Sequence, residues 1–346
     1  MKHRAAIIGA GVSGLTCGVL FAERGYRTAI FAKEIGQQTT SGAAGALWFP
    51  YDVEPADKVI PWALKTYGTL VDLARNPDSG VSTIELYQFS RTEEIQIPSW
   101  AIPLGARTVA PNNSTSFRKS SVDHGATLGR PAPERKGSER ITGLNKFKSG
   151  FSLRVPLMDT TIYLDYLAKR FVAAGGSIAA NSHLTKLEEV DQQFGLVINC
   201  AGIGARELVR DADLEPHRGQ VAIVPRIKYL PYAVVCDDAP LMYAIPRRND
   251  CVFGGTNDLS DDLNVDSVTT GQIVAGCSRE LQIDKPNVLA ERVGLRPFRK
   301  SGLRLERDHL SDGRTVVHNY GHGGSGFTLS WGCAGEVFEL ANESAR

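Results

Sequence analysis

Apolar positions along this chain fall into two rhythms, one strand-like and one helical. Arg4-Ala5-Ala6-Ile7-Ile8 is a short unbroken apolar run, as a strand buried on both faces presents. Gly9-Ala10-Gly11-Val12-Ser13-Gly14 follows at once, and from Leu15 to Glu23 apolar residues recur at helical spacing up to Gly25, a natural helix stop. Tyr26-Arg27-Thr28-Ala29-Ile30-Phe31-Ala32 predicts a second buried strand. Far downstream, Leu196-Val197-Ile198-Asn199-Cys200-Ala201-Gly202 is another buried strand ending in a small turn, so the chain is expected to return to its first unit after an excursion. Phe151-Ser152-Leu153-Arg154-Val155-Pro156 has strand character, with a helix expected from about Asp159 to Ala174 and another from about Thr328 to Leu340.

The pattern fails from about Leu104 to Gly150. That stretch holds Pro111-Asn112-Asn113-Ser114-Thr115-Ser116 and Arg130-Pro131-Ala132-Pro133-Glu134-Arg135, and its hydrophobicity is too low to bury a core. It reads as a long solvated loop, with an active-site cover or a subunit contact as the functional alternatives.

Composition narrows the picture modestly. A chain of 346 residues exceeds one small core, so two packed domains are expected. A formal net charge of +1 argues against nucleic acid or an anionic membrane as a partner. The apolar runs are too short to span a bilayer. Cys17, Cys200, Cys236, Cys251, Cys277 and Cys333 show no CxxC spacing and read as free, mostly buried thiols, with no metal site. The opening Lys2-His3-Arg4 leaves no room for a secretory segment, and Ser344-Ala345-Arg346 does not match a Ser-Lys-Leu address, so a cytoplasmic location is expected.

The strand–glycine loop–helix–strand order is the context that gives a GxGxxG match its meaning. Among Gly9, Gly11 and Gly14, one permits the tight turn, one admits a pyrophosphate to the backbone and one lets helix and strand pack closely. The helix start, with Val12 and Ser13, offers N–H donors and positive potential to a diphosphate. Glu34 lies 20 positions after Gly14, where an acidic side chain accepts from ribose hydroxyls; Lys33 competes if the register slips by one. These features leave FAD and NAD both open. Small and hydroxylated residues at Thr39, Thr40, Ser41, Gly45, Ala46 and Leu47 favour a planar ring lying against backbone. A second glycine loop, with Gly323, Gly324, Ser325, Gly326, Phe327 and Thr328, offers a helix start to the flavin edge where negative charge develops on reduction.

At this point the chain resembles the D-amino acid oxidase family over nearly its whole length. The landmarks are the opening fingerprint, Ala43-Ala44-Gly45-Ala46-Leu47-Trp48, Val197-Ile198-Asn199-Cys200, Arg218-Gly219-Gln220 and Tyr243-Ala244-Ile245-Pro246. Glu291-Arg292-Val293-Gly294-Leu295-Arg296-Pro297 and His318-Asn319-Tyr320-Gly321-His322-Gly323-Gly324 complete the set, in the right order. The resemblance implies a mixed α/β protein, in which a discontinuous Rossmann-like FAD-binding domain (1–50, 151–205 and 290–346) is interleaved with a substrate domain (51–150 and 206–289) on a large mixed sheet. It implies FAD as cofactor, with Leu184, Ala201 and Gly202 added to its contacts, and D-amino acids and O2 as small-molecule partners; it allows a homodimer. Arg296 is then the partner of the substrate carboxylate, Tyr243 adds a phenolic hydrogen bond, and the Gly324 carbonyl accepts from the substrate amine. His322 reads as structural. The implied reaction needs no general base: hydride passes from the α-carbon to flavin N5, giving a 2-oxo acid, ammonia and hydrogen peroxide.

Two departures stand out. The stretch before Tyr243, Cys236-Asp237-Asp238-Ala239-Pro240-Leu241-Met242, contains no lid tyrosine, and Tyr232 reads as a sheet residue. Asn257 stands where members that prefer acidic D-amino acids carry arginine, so neutral or apolar substrates are expected; Arg247-Arg248 reads as a solvated strand–turn pair. The alternatives are a related flavin amine oxidase acting on glycine, N-methyl or acidic amino acids, and a flavoprotein that senses amino acids without turnover.

Overall fold

A computed structural model describes residues 3–51, 53–109 and 146–343. The elements along the chain are β1 (Arg4–Ala10), α1 (Val12–Glu23), β2 (Arg27–Ile35), α2 (Thr40–Ala43), α3 (Ala56–Leu73), β3 (Val81–Ser90), β4 (Arg107–Val109), β5 (Ser149–Met158), α4 (Thr160–Ala173), β6 (Ser177–Ala179), β7 (Leu196–Asn199) and α5 (Ala205–Leu208). They continue with β8 (Leu214–Pro225), β9 (Ala233–Cys236), β10 (Met242–Pro246), β11 (Asp250–Gly254), β12 (Asp258–Leu259), α6 (Ser267–Leu281), β13 (Ala290–Arg299), β14 (Arg304–His309), β15 (Thr315–Tyr320) and α7 (Gly326–Asn342). The long polar stretch expected at 104–150 lies mostly outside the described residues.

Two sheets organise the protein. The first has six strands in the order β14-β15-β7-β1-β2-β6, parallel except for the β14–β15 pair. Its central strand is buried on both faces, which explains the unbroken apolar run at the N-terminus. Ala5 and Ile7 pack into the main core with α1, α3, α4 and α7, while Ala6 and Ile8 meet Val197, Leu187 and Val316 on the other side. Helix α1 is flanked by α4 and α7 and turns almost every side chain inward. Asp159 caps α4 by accepting from Thr161 N–H at 3.1 Å.

The second sheet has nine strands, ordered β12-β8-β11-β10-β9-β3-β5-β4 with β13 paired to β8. Period-two alternation sorts its residues. Tyr87, Phe89, Ala222, Val224, Val234, Cys236, Ala244 and Phe253 pack with Ile273, Val274 and Cys277 of α6. The alternate positions Leu86, Gln88, Val221, Val235, Tyr243 and Ile245 line a cavity on the opposite face. Strands β5 and β13 belong to this sheet, although the sequence reading groups 151–158 and 290–299 with the dinucleotide portion. A buried apolar strand such as β5 carries no label saying which partner it will pair with, and neither does the polar, half-buried β13.

The segment after α2 joins the two sheets. Met158 N–H donates to Ala46 O at 3.0 Å and Trp48 N–H to Pro156 O at 2.9 Å. Trp48 is fully buried, and its indole N–H donates to Ala63 O on α3 at 3.0 Å. Trp48→Ala is therefore expected to cost about 3–5 kcal/mol, and Trp48→Phe, which loses mainly the indole bond, about 1 kcal/mol. Denaturant midpoints of the two variants test that ranking.

Candidate active site

The glycine loop is a packing device before it is a binding device. Gly9 holds φ +103°, and a Cβ there would lie 2.5 Å from Cys200 O at the end of β7. A Cβ on Gly14 would run into Gly9 O, so any side chain would push α1 off β1. Gly14 thus serves the turn from behind, while Gly9, Gly11, Val12 and Ser13 face a cavity of about 650 Å³. Val12 N–H donates to Ser41 Oγ at 3.0 Å, which ties the small-residue segment to the helix start.

That single cavity collects nearly all the residues singled out in the sequence. Lys33 and Glu34 line it at the end of β2, with their charged groups 4.0 Å apart and both largely exposed. Thr39, Thr40, Ser41, Gly45, Ala46 and Leu47 form one wall, with Leu184, Ala201 and Gly202 nearby. Gly323, Gly324, Gly326 and Phe327 approach from the start of α7, and Tyr243 and Arg296 come from the second sheet. Ser325 and Thr328 do not line it. Ser325 Oγ donates to Tyr51 O and accepts from Tyr51 N–H at 2.9 Å, and Thr328 Oγ1 bonds Phe49 O at 2.9 Å and Phe49 N at 3.1 Å. These hydroxyls hold the 49–51 segment against α7 instead.

Arg296 is positioned with unusual completeness for a cation that forms no ion pair among the described residues. Its guanidinium lies flat on Gly219, where a Cβ would sit 2.5–2.6 Å from Nη1, Cζ and Nη2. Nη1 donates to Thr256 O at 2.8 Å and to Asn257 Oδ1 at 3.1 Å. The Tyr243 phenol also interacts with this guanidinium, so a planar cation with a phenol beside it faces the cavity. Asn257 therefore steadies the arginine. The loop that carries it is pinned by buried Arg218, which donates to Asp262 O at 2.8 Å and Asn264 O at 2.6 Å. Gln220 Nε2 adds a bond to Asp266 O at 2.7 Å.

Around this fork the backbone has been cleared of side chains. Gly254 and Gly255 abut the Tyr243 ring, with a Gly255 Cβ falling 2.9 Å from the phenol oxygen. Burial raises the Tyr243 pKa, with the neighbouring Arg296 charge pulling in the opposite direction, so the phenol is a neutral donor. Gly324 sits between Tyr51 and Arg296: a Cβ there would be 2.9 Å from Tyr51 Cδ1 and 3.8 Å from Arg296 Cδ. Gly323 N–H donates to Pro297 O at 2.9 Å, docking the α7 loop onto β13 beside the arginine.

Several lining residues escaped the sequence reading. Tyr51 and Phe49 continue the Leu47-Trp48 run that was recognised, and Gln88 is a lone polar residue between Tyr87 and Phe89, a signal that could have been used. Asp237, in the short β9–β10 turn, carries no local signal. Arg247 is a correction: its side chain is 2% exposed, paired with Asp250 at 2.6 and 2.8 Å and bonded to Thr160 Oγ1 at 3.0 Å, so it is a core ion pair and not a solvated one. Tyr232 packs edge-on against Tyr87, with ring centroids 5.1 Å apart. All six cysteines are free and buried.

A sequence model of the family described as FAD dependent oxidoreductase matches residues 4–340. The chain is 34% identical over 342 residues to a D-amino-acid oxidase of Rubrobacter xylanophilus, covering 98% of this chain and 95% of the relative. It is 35% identical over 341 residues to a D-amino-acid oxidase of Streptomyces coelicolor, with 97% and 96% covered. Among solved structures, glycine oxidase from Geobacillus kaustophilus superposes with a TM-score of 0.76 at 17% identity, covering 99% of this chain and 96% of the other, a likeness of fold.

His322 lines the cavity and is buried, with Nε2 3.1 Å from Asn319 Oδ1; His318 is buried with Nδ1 3.3 Å from Asn199 Nδ2. Burial lowers both to about 4 from the ordinary 6.5. The unfolded chain gains these protons near 6.5 while the native state refuses them until about 4. Their stabilising contribution is therefore complete above about 6.5 and is lost as pH falls towards 4. Denaturation midpoints should drop between about pH 7.5 and pH 5, and His322→Asn should flatten that slope. An unchanged slope in the variant would mean that His322 carries its proton in the folded state.

Proposed function

This chain belongs to the family of FAD-dependent oxidoreductases that includes the D-amino-acid oxidases, and from that premise we propose that it oxidises D-amino acids at the α-carbon, with Arg296 as carboxylate anchor. The observation that carries the reading is the guanidinium of Arg296, held at Nη1 with the Tyr243 phenol beside it, in the same cavity as the glycine loop. The residues present fit FAD. Gly9, Gly11 and the start of α1 suit a diphosphate, Glu34 suits ribose hydroxyls, and the small residues from Ser41 to Ala46 leave room for a flat ring system.

FAD, when bound, supplies the hydride acceptor and returns the electrons to oxygen as hydrogen peroxide. The chain's own groups do the rest. Arg296 takes the substrate carboxylate in a bidentate pair, where a lysine would offer only a point charge. The neutral Tyr243 phenol donates to the same carboxylate. The Gly324 carbonyl accepts from the amine and fixes its place; it is the neutral form of that amine whose lone pair drives the α-hydrogen out. Two fixed substituents on the α-carbon leave one hydrogen orientation, which is the source of stereochoice. His322 stays neutral and moves no proton. Water hydrolyses the imino acid to the 2-oxo acid and ammonia.

Acidic substrates fit poorly. Asn257 carries no charge and is engaged by Arg296. Neutral D-amino acids fit the apolar lining of Val235, Leu241 and Ile245. Six buried free thiols suit a reducing compartment such as the cytoplasm.

Anaerobic addition of D-alanine should bleach the flavin band, and L-alanine should not; failure of every class of D-amino acid to bleach it would overturn the reading. Arg296→Ala should raise KM by about a hundredfold and lower kcat through misorientation, with Arg296→Lys a weak rescue. Gly219→Ala should act in the same direction by displacing the guanidinium. An unchanged KM in Arg296→Ala would remove that residue from the site.

A further inference from the structure

Three consecutive residues of β8, Arg218, Gly219 and Gln220, bear on Arg296 from both faces of the second sheet. Alternation along the strand sends Gly219 to the cavity face, where the guanidinium lies on it. Arg218 and Gln220 project from the other face, where Gln220 Nε2 donates to Thr270 Oγ1 of α6 at 2.8 Å. The neighbouring ladder is irregular at this point. β8 pairs with β11 as far as Gly254 opposite Val221, and with β12 from Asp258 opposite Arg218. Between those pairs three residues, 255–257, stand opposite only two, 219 and 220. One extra residue makes a bulge, which re-aims groups that a regular ladder would pair. Here Thr256 O and Asn257 Oδ1 are turned to Arg296 Nη1, at 2.8 and 3.1 Å.

Backbone groups facing a bulge need partners from elsewhere. Gln220 is fully buried, and its N–H donates to the Thr256 hydroxyl at 3.0 Å. The same hydroxyl donates to Arg218 O at 3.4 Å, so one side chain spans Gly219 and ties the bulge to β8 on both sides of it. Thr256 does not line the cavity, and its side chain acts only through what it holds. Beyond the bulge the chain is locked from the far face. Arg218 reaches Asp262 O and Asn264 O, and Gln220 Oε1 accepts from Arg218 Nη2 at 2.7 Å and from Asp266 N–H at 3.1 Å. With Nε2 on Asp266 O and Thr270 Oγ1, the hydrogen-bonding capacity of the Gln220 amide is fully used.

We propose that Thr256 is a positioning residue for Arg296: its hydroxyl closes the bulge onto β8 and so fixes where the guanidinium lies, while Arg218 and Gln220 hold the loop behind it. The inference rests on the reading of Arg296 as carboxylate anchor and adds the device that aims it.

The test is a double-mutant cycle in kcat/KM of the holoenzyme for D-alanine, built from Thr256→Val and Arg296→Ala. Thr256→Val keeps the shape but leaves the buried Gln220 N–H without its acceptor, and should lower kcat/KM by about tenfold, mainly through KM. Thr256→Ser, which keeps the hydroxyl, should stay near the unmodified enzyme. In the Arg296→Ala background the valine substitution should have almost no further effect, because no guanidinium is left to aim. If the valine variant fails to retain flavin, Thr256→Ala supplies the same cycle. Equal losses in both backgrounds, a serine variant as poor as the valine one, or no loss at all would each overturn the proposal. Arg296→Ala with an unchanged KM would instead overturn the anchor reading, and this inference with it.

Discussion

Ten residues of β13 pair with β8, and on this ladder the two halves of the protein meet. One side of the ladder completes the nine-stranded sheet. Its continuation leads through β14 and β15 into the six-stranded sheet and on to α7. Because β13 is anchored along its whole length, Arg296 has a fixed origin, and Gly219, two positions along β8 from its ladder partner His217, gives its guanidinium a flat seat. Gly323 N–H on Pro297 O and the bridge between Phe298 and His322 then dock the second glycine loop onto the same strand. Displacing the ladder would separate Arg296, Gly324 and the first glycine loop at once.

Electrostatics follow from that placement. The cation at Arg296 is presented without an opposing acid among the described residues, so its charge is available to a ligand. Burial keeps the two nearby imidazoles uncharged and Tyr243 protonated, leaving orientation as the task of the protein. Hydride chemistry suits such a site, since it requires a held substrate and no proton relay through side chains. Arg218 and Gln220 extend the same economy to the loop at 256–266, which they pin by carbonyl bonds from beneath.

Much of this was legible in the residues. The opening strand, the GxGxxG turn and α1 announce themselves because local geometry alone demands glycine at Gly9 and Gly14. The apolar strand β5 announces only its existence, and the arginine-rich β13 does not announce even that; their place in the second sheet depends on partners more than fifty residues away in sequence. Ser325 and Thr328 illustrate a different limit. Both sit in the recognised loop, yet their hydroxyls turn to the backbone of Tyr51 and Phe49, a choice made by what packs beside the helix. Arg247 looked like a surface pair because adjacent arginines usually are, and only the fold brings Thr160 to it and closes its ion pair with Asp250 inside the core.

Sequence by itself determined the dinucleotide turn and the family resemblance, and it singled out Arg296, Tyr243 and Gly324 as candidates, because each rests on a residue type whose chemistry or backbone freedom has few substitutes. Tertiary structure alone decided which atoms of Arg296 are held, that Asn257 serves the arginine, and that Gln88 and Asp237 are bonded to each other on the wall of the same cavity. Those are questions of direction and distance between segments remote in sequence. Direction is settled only when strands pair in register, since a shift of one residue turns every side chain to the opposite face.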